Sequence, residues 1–314
     1  MPFSMMYMML MNRFIVTMKN NGFLTRMLAC SVGFILFFTA CSSQTDDDDE
    51  PVESPVMQAD SLELHCVRDG RDIYGWMYRP EGITAKLPLV VLSHSYSLTA
   101  DAMRGYARWL AEEGYAAYCF DFCGGSEQSR SDGDFSQMTP FTEVADLQAV
   151  LSTLRQRSDV DASRLFLLGS SLGGVVSALV AEERAADVAG LILFYPAFNI
   201  AELVNKYASS SGLSGMSEAF VASLSDYQLF QHIGTYAGDV LILHGSADFI
   251  VPLSYSRQAA GLYPHAELQE IEGATQGFNA ATLGALGSLM GSMAKYDAVV
   301  MPLVLDYLSQ HTGR

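Results

Sequence analysis

Basic residues are scarce in this sequence. The 18 lysines and arginines stand against 35 aspartates and glutamates, which gives 314 residues a formal net charge of −17. Residues 1–40 hold three of the basic residues and no acid, so the chain after residue 40 carries −20. An acidic surface of this strength repels phosphate backbones, so we expect no nucleic-acid partner. The remaining explanation of the acidity is solubility.

Motifs for metals and nucleotides are also missing. No pair of histidines or cysteines stands at the spacing typical of metal ligands. The glycine-rich run "GSSLGG", residues 169–174, lacks the lysine of a phosphate-binding loop. We therefore expect neither a metal ion nor an organic cofactor.

The first 40 residues have the pattern of a targeting segment. Lys19 and Arg26 precede the apolar run "MLACSVGFILFFTA", which is too short for a comfortable membrane span. The run ends in "FTAC" and is followed by "SSQTDDDDEP". Small residues before Cys41 and an abrupt polar change resemble the lipobox of a bacterial lipoprotein. An ordinary signal peptide with an incidental cysteine is the alternative, and Met18 is an alternative start.

The lipobox resemblance implies a signal peptide over 1–40, a lipid on Cys41 and an acidic linker over 41–56. It also implies export, with the membrane of the cell envelope as a partner. The acidic run at 46–50 resembles the surface-export signals of some Gram-negative lipoproteins, although a solvated tether has the same composition. The exported compartment would permit a disulfide among the remaining cysteines, but we expect them to be small buried hydrophobes.

The rest of the chain predicts an α/β fold. Two alternating runs, "LELHCV" and "IYGWMYRP", flank Asp69-Gly70, a strong hairpin turn. Apolar strands then alternate with amphipathic helices, which favours one doubly wound, mostly parallel sheet over 57–314 with the antiparallel hairpin at its edge. Residues 197–238 are longer than a crossover needs. We expect this insert to form a short lid over the functional site, with Phe220 and Leu224 facing the pocket.

One motif indicates nucleophilic chemistry. "GSSLGG" follows the strand pattern "RLFLL" and fits the G-x-S-x-G nucleophile elbow, which lifts the Ser171 hydroxyl above the sheet. The N–H of Leu172 would then face a developing oxyanion. Asp248 follows a later strand, where an acid partner belongs, and the N–H of Tyr96 after "VVLSH" is the natural second oxyanion donor.

From about residue 60 to 310 the chain resembles α/β-hydrolase esterases, close to the cinnamoyl and feruloyl esterase branch. The matching motifs are "VVLSHSYS", "LFLLGSSLGGVVSALVA", "LILHGSADFIVP" and "EIEGATQGF". The resemblance implies an α/β-hydrolase fold with Ser171 as nucleophile and Asp248 as acid. It places the catalytic histidine at position 276, where this sequence has Gln276. It also implies glycine at position 95, which is Ser95 here.

The glutamine limits the chemistry, because its amide can hydrogen-bond Ser171 and Asp248 but cannot accept a proton as imidazole does. His94, over the site, and His232, at the base of the insert, are the candidates for a substitute base. The sequence thus predicts a serine hydrolase acting on small-molecule carboxylic esters, with a weak or rewired triad. The alternatives are a catalytically impaired binding protein on a hydrolase scaffold and a serine peptidase of the same fold.

Overall fold

The computed structural model describes residues 57–207, 215–279 and 296–313. These residues belong to one compact unit, Ser54–Arg314. The predicted signal peptide, Cys41 and the acidic linker lie outside the described residues.

An eight-stranded sheet forms the centre of the described chain, in the order β1-β4-β6-β5-β7-β8-β9-β10. The strands from β5 to β10 run parallel, whereas β4 pairs antiparallel with β1 and β6. The strands are β1 Ala59–Glu63, β2 Cys66–Arg68, β3 Arg71–Ile73, β4 Gly75–Pro80, β5 Leu87–Ser93, β6 Ala116–Phe120, β7 Val160–Ser170, β8 Gly190–Phe194, β9 Asp239–Gly245 and β10 Ala266–Ile271.

Helices connect the parallel strands and cover the sheet. They are α1 Arg104–Glu112, α2 Pro140–Leu154, α3 Leu172–Glu183, α4 Ile200–Tyr207, α5 Glu218–Leu224, α6 Leu253–Ala260 and α7 Asp297–Thr312. The start of α2 follows from its sequence: Thr139 and Thr142 form a reciprocal capping box around Pro140. The predicted doubly wound α/β-hydrolase fold is therefore confirmed.

The core lies on both faces of the sheet. Along the fully buried strand β5, Leu89 and Val91 pack into the cluster beneath α2 and α3, and Val90 and Leu92 into the cluster beneath α1 and α7. Each buried aliphatic side chain contributes roughly 1.5–3 kcal/mol. This two-sided burial explains the uninterrupted apolar run in the sequence and fixes the carboxyl ends of the strands, where the predicted site residues lie.

The predicted edge hairpin is divided in the structure: the strands next to its turn form the ladder β2–β3, a separate two-stranded sheet, and the antiparallel pair β1–β4 forms the edge of the main sheet. The turn residues Asp69 and Gly70 have φ of 51° and 79°, as a two-residue hairpin turn requires. The three cysteines of the described residues are free and buried, as expected: Cys66, Cys119 and Cys123. Across the described ranges, no helix has the length and apolarity needed to cross a membrane.

The insert at 197–238 contains α4 and α5, and residues 208–214 of it lie outside the described residues. Phe220 and Leu224 do not line an open pocket as expected; both are buried in the main core cluster. The reason is that α5 packs against α2, so its apolar face is used for packing. Phe220 meets the ring of Tyr96 edge-on at 5.1 Å, which places α5 beside the predicted oxyanion turn.

Candidate active site

Ser171 lies at the turn between β7 and α3. Its backbone has φ 51° and ψ −116°, a conformation that is rare for a residue with a side chain and common at functional turns. A Cβ atom on Gly169 would collide with the carbonyl of Gly173, and one on Gly173 with the carbonyl of Ser93. The two glycines are thus required by close backbone contacts, as in the elbow that the motif predicts.

Gln276 bridges Ser171 and Asp248. Its amide oxygen accepts a hydrogen bond from Ser171 Oγ at 3.2 Å. Its amide nitrogen donates to the Asp248 carboxylate, at 3.2 Å from Oδ1 and closer to Oδ2. The partners fix this orientation, because the opposite one would set the amide oxygen against the carboxylate. The structure therefore brings the three residues together in the order hydroxyl, amide, carboxylate.

Hydrogen bonds between two loops hold Ser171, Gln276 and Asp248 in this arrangement. The Asp248 loop is joined to the loop after β10 by a hydrogen bond from the N–H of Ala247 to the carbonyl of Ala274. Beyond it, the N–H of Thr275 donates to the carbonyl of Asn279 at 2.8 Å, and Asn279 Nδ2 donates to the Gln276 carbonyl at 3.0 Å. Gln276 thus projects from a closed turn.

The Asp248 carboxylate is held on two further sides. Its Oδ1 accepts the N–H groups of Ile250 and Val251 at 2.8 and 2.9 Å. Its Oδ2 lies 3.4 Å from Nε2 of the buried His244, which also bonds the Val251 carbonyl and Ser256 Oγ. His244 therefore stabilises the loop that carries Asp248 from the buried side. The sequence pattern did not single out His244 for this contact.

The predicted oxyanion donors flank the elbow. Leu172 is the first residue of α3, so its N–H has no acceptor within the helix. Tyr96 follows β5, and no described residue accepts its backbone N–H. The Tyr96 phenol instead donates to the Gly215 carbonyl at 2.9 Å, which ties the oxyanion turn to the insert.

Ser95 joins the oxyanion turn to the nucleophile strand. Its Oγ lies 3.0 Å from Ser170 Oγ and 3.3 Å from the Ser170 carbonyl. Ser170, which directly precedes Ser171, also donates from its Oγ to Met103 Sδ at 3.6 Å. The residue that replaces the glycine of related esterases therefore fastens two parts of the site to each other. The sequence marked Ser95 as a departure but gave no sign of its partner.

His94 does not offer a free ring nitrogen. Its Nδ1 donates to the Ser95 carbonyl at 2.9 Å, and its Nε2 accepts the N–H of Phe122 at 3.2 Å. The ring is buried, and burial lowers its pKa, so it stays neutral. His94 is thus a structural residue of the turn. His232, the other candidate base, is exposed and stacks on Tyr227 at 4.5 Å.

A buried glutamate lies near the oxyanion turn. Glu143 of α2 is 1% exposed, and among the described residues neither of its carboxylate oxygens has a hydrogen-bond partner. Burial raises its pKa well above the ordinary value, and the nearby Asp146 raises it further. Burial, with a contribution from Glu143, also raises the pKa of the Tyr96 phenol to about 12. Sequence periodicity gave no indication of this burial.

A cleft of about 550 Å³ lies beside the oxyanion turn. Its walls come from residues 126–136 and from the insert at 215–217. It borders Tyr96 through Phe135, whose ring is 5.8 Å from that of Tyr96, and through Gly215. Within the described ranges, no cluster of histidine, cysteine and acidic side chains has the geometry to hold a metal ion.

Comparison with known proteins identifies the family to which this fold belongs. Residues 85–225 match the family model Hydrolase_4, serine aminopeptidase, S33. The uncharacterized protein YfhR of Salmonella typhimurium is 30% identical over 234 residues, which cover 68% of this chain and 73% of that protein. The solved structure of Est1E from Butyrivibrio proteoclasticus with ferulic acid bound has a TM-score of 0.68 at 20% identity, covering 80% of this chain and 100% of that one. The chain belongs to the α/β-hydrolase family.

A relative that matches a shorter stretch of this α/β hydrolase carries the name of the fold. The alpha/beta hydrolase domain-containing protein WAV2 of Arabidopsis thaliana is 28% identical over 129 residues, 37% of this chain and 42% of that protein. The chain is therefore an α/β hydrolase of the serine-hydrolase type, which agrees with the resemblance found in its motifs.

Proposed function

We propose that this α/β hydrolase reacts with small-molecule carboxylic esters through Ser171 and turns them over slowly. The observation that carries the proposal is the bridging position of Gln276, which keeps Ser171 and Asp248 in register without supplying a base. An ester carbonyl at Ser171 would develop negative charge between the N–H groups of Tyr96 and Leu172, and such donors stabilise the tetrahedral intermediate.

The expected rate is low for a specific reason. Removing the histidine of a serine protease lowers turnover by roughly a millionfold, yet leaves about a thousandfold over water from the oxyanion donors and binding. The hydrogen bond from Ser171 Oγ to Gln276 aligns the hydroxyl, but an amide oxygen is too weak a base to take its proton.

The test is labelling by a fluorophosphonate together with turnover of p-nitrophenyl acetate and methyl ferulate. We expect slow labelling at Ser171 and slow ester cleavage, both absent in Ser171→Ala. Methyl ferulate is included because Est1E was solved with ferulic acid. Labelling at the rate of ordinary serine esterases would show that a working base exists, contrary to the proposal.

A second candidate is a non-catalytic binding protein on the hydrolase scaffold. It is favoured by the same amide, which satisfies the hydroxyl of Ser171 and the carboxylate of Asp248 at once and leaves neither reactive. Binding of methyl ferulate without labelling or cleavage would support it. A serine peptidase is the third candidate, and cleavage of aminoacyl p-nitroanilides in preference to esters would support that.

For location, we propose that the mature chain begins at Cys41 and is held to the bacterial cell envelope by a lipid on that residue. The "FTAC" boundary and the acidic run that follows it support this proposal.

A further inference from the structure

The missing base affects the two halves of ester hydrolysis unequally. In the first half, Ser171 Oγ bonds to the acyl carbon and the bond from that carbon to the leaving group breaks. In the second half, water attacks the acyl carbon and the bond to Ser171 Oγ breaks. The Gln276 amide can hydrogen-bond in both halves but can transfer a proton in neither.

Acylation and deacylation need different numbers of proton transfers, because their leaving groups differ. An aryl oxide or a thiolate departs as a stable anion, so acylation then needs no acid; the Ser171 proton passes to hydroxide or water. Deacylation expels a serine alkoxide, which must be protonated, and it must also remove a proton from the attacking water. Each such proton transfer contributes about 10²–10⁴-fold when a side chain performs it. Deacylation therefore lags acylation by about that further factor.

Neither His94 nor His244 replaces the missing proton carrier. Both ring nitrogens of His94 are bonded to backbone groups of its own turn and of Phe122. His244 is fully buried behind Asp248, with its nitrogens on Ser256 and Val251. The Gln276 amide nitrogen is directed to Asp248, which leaves only its oxygen toward Ser171.

We infer that the protein is an acyl acceptor: it takes the acyl group of an activated donor, an aryl ester or a thioester, onto Ser171 and retains it as a long-lived acyl-serine. The inference rests on the proposed reaction of Ser171 with esters and goes beyond it, because it names the donor class and makes the acyl-protein, rather than the free acid, the main product.

The pH dependence of acylation distinguishes this chemistry from that of a triad. An imidazole base gives a rate that levels off above its pKa, about 6.5 in an unperturbed histidine. With hydroxide as the proton acceptor, the acylation rate instead rises about tenfold per pH unit through this range, and the Gln276→His variant restores the plateau.

The experiment uses the full chain in detergent with p-nitrophenyl acetate and S-phenyl thioacetate. We expect a burst of one leaving group per protein and an intact mass with one acetyl group, mapped to Ser171. Gln276→His should change the burst into steady turnover, and Ser171→Ala should give neither. Glu113→Gln, at an exposed position outside the site, serves as the control and should keep both the burst and the acyl-serine.

Three results separate the outcomes. A stoichiometric burst with a stable acetyl group on Ser171 supports the inference. Continuous turnover by the wild type with no acetyl-protein overturns the inference while leaving the proposed ester hydrolysis intact. Binding of the donor with neither burst nor turnover overturns both.

Discussion

The side-chain oxygen of Gln276 lies 3.2 Å from Ser171 Oγ, while its amide nitrogen faces the carboxylate of Asp248. The glutamine thus makes both hydrogen bonds that an imidazole would make at this place. What it lacks is basicity, a property of the one side chain rather than of the surrounding loops.

Gln276→His should therefore restore turnover. The elbow and Asp248 are already in place, and Tyr96 and Leu172 are the proposed oxyanion donors, so we expect p-nitrophenyl acetate turnover to rise on the order of a thousandfold or more. The measurement is kcat/KM for wild type and variant, with thermal melting to show equal folding. An unchanged rate in a folded variant would show that Ser95 or another departure also disables the site.

His94→Ala should lower stability rather than remove a base. The substitution leaves the N–H of Phe122 and the Ser95 carbonyl without partners, at a cost of about 1–3 kcal/mol for each group that stays buried. Thermal melting should show the loss, while phosphonate labelling per folded molecule stays within a few-fold of wild type. Labelling abolished in a well-folded His94→Ala protein would identify His94 as the base.

Glu143→Gln should stabilise the protein above acidic pH. The pKa of Glu143 is raised in the folded state, so between its ordinary value of 4.5 and the folded value the unfolded chain releases the proton while the folded chain keeps it. Stability is therefore lost as pH rises through this window, at about 1.4 kcal/mol per pH unit.

The glutamine side chain does not titrate. The melting temperature of the variant should therefore increase relative to that of the wild type as pH rises from 4 to 7. Glu113→Gln, at an exposed position, is the matched control and should show no such trend. A constant difference across pH would mean that Glu143 ionises normally in the folded protein.

Cys41→Ser should release the protein from membranes. A lipid on Cys41 would anchor the chain, and serine cannot carry the thioether. Fractionation of cells should move the protein from the membrane pellet to the soluble fraction, and mass spectrometry should find the wild-type chain beginning at a lipidated Cys41. A wild-type chain that begins elsewhere without lipid contradicts the proposal.

The sequence predicted those features that local pattern determines. The strand and helix alternation and the Asp69-Gly70 turn each depend on a few neighbouring residues, and the structure confirms them. The elbow motif and the strand ends were enough to bring Ser171 and Asp248 to one place, and the resemblance to esterases added Gln276.

Contacts between distant segments were not predictable in this way. The Ser95–Ser170 hydrogen bond joins residues 75 positions apart, and Phe220 was expected in a pocket but packs in the core. Glu143 lies on α2 one turn from Asp146, and only tertiary packing determines that its carboxylate is buried. These features depend on side-chain placement across the fold, which periodicity does not contain.

The closed turn from Thr275 to Asn279 is held by backbone bonds and by the side chains of Thr275 and Asn279, none of which uses the side chain of residue 276. Codons for glutamine and histidine differ only in the third base. A single nucleotide change at this codon would therefore exchange an acyl-holding protein for a hydrolase, and the reverse.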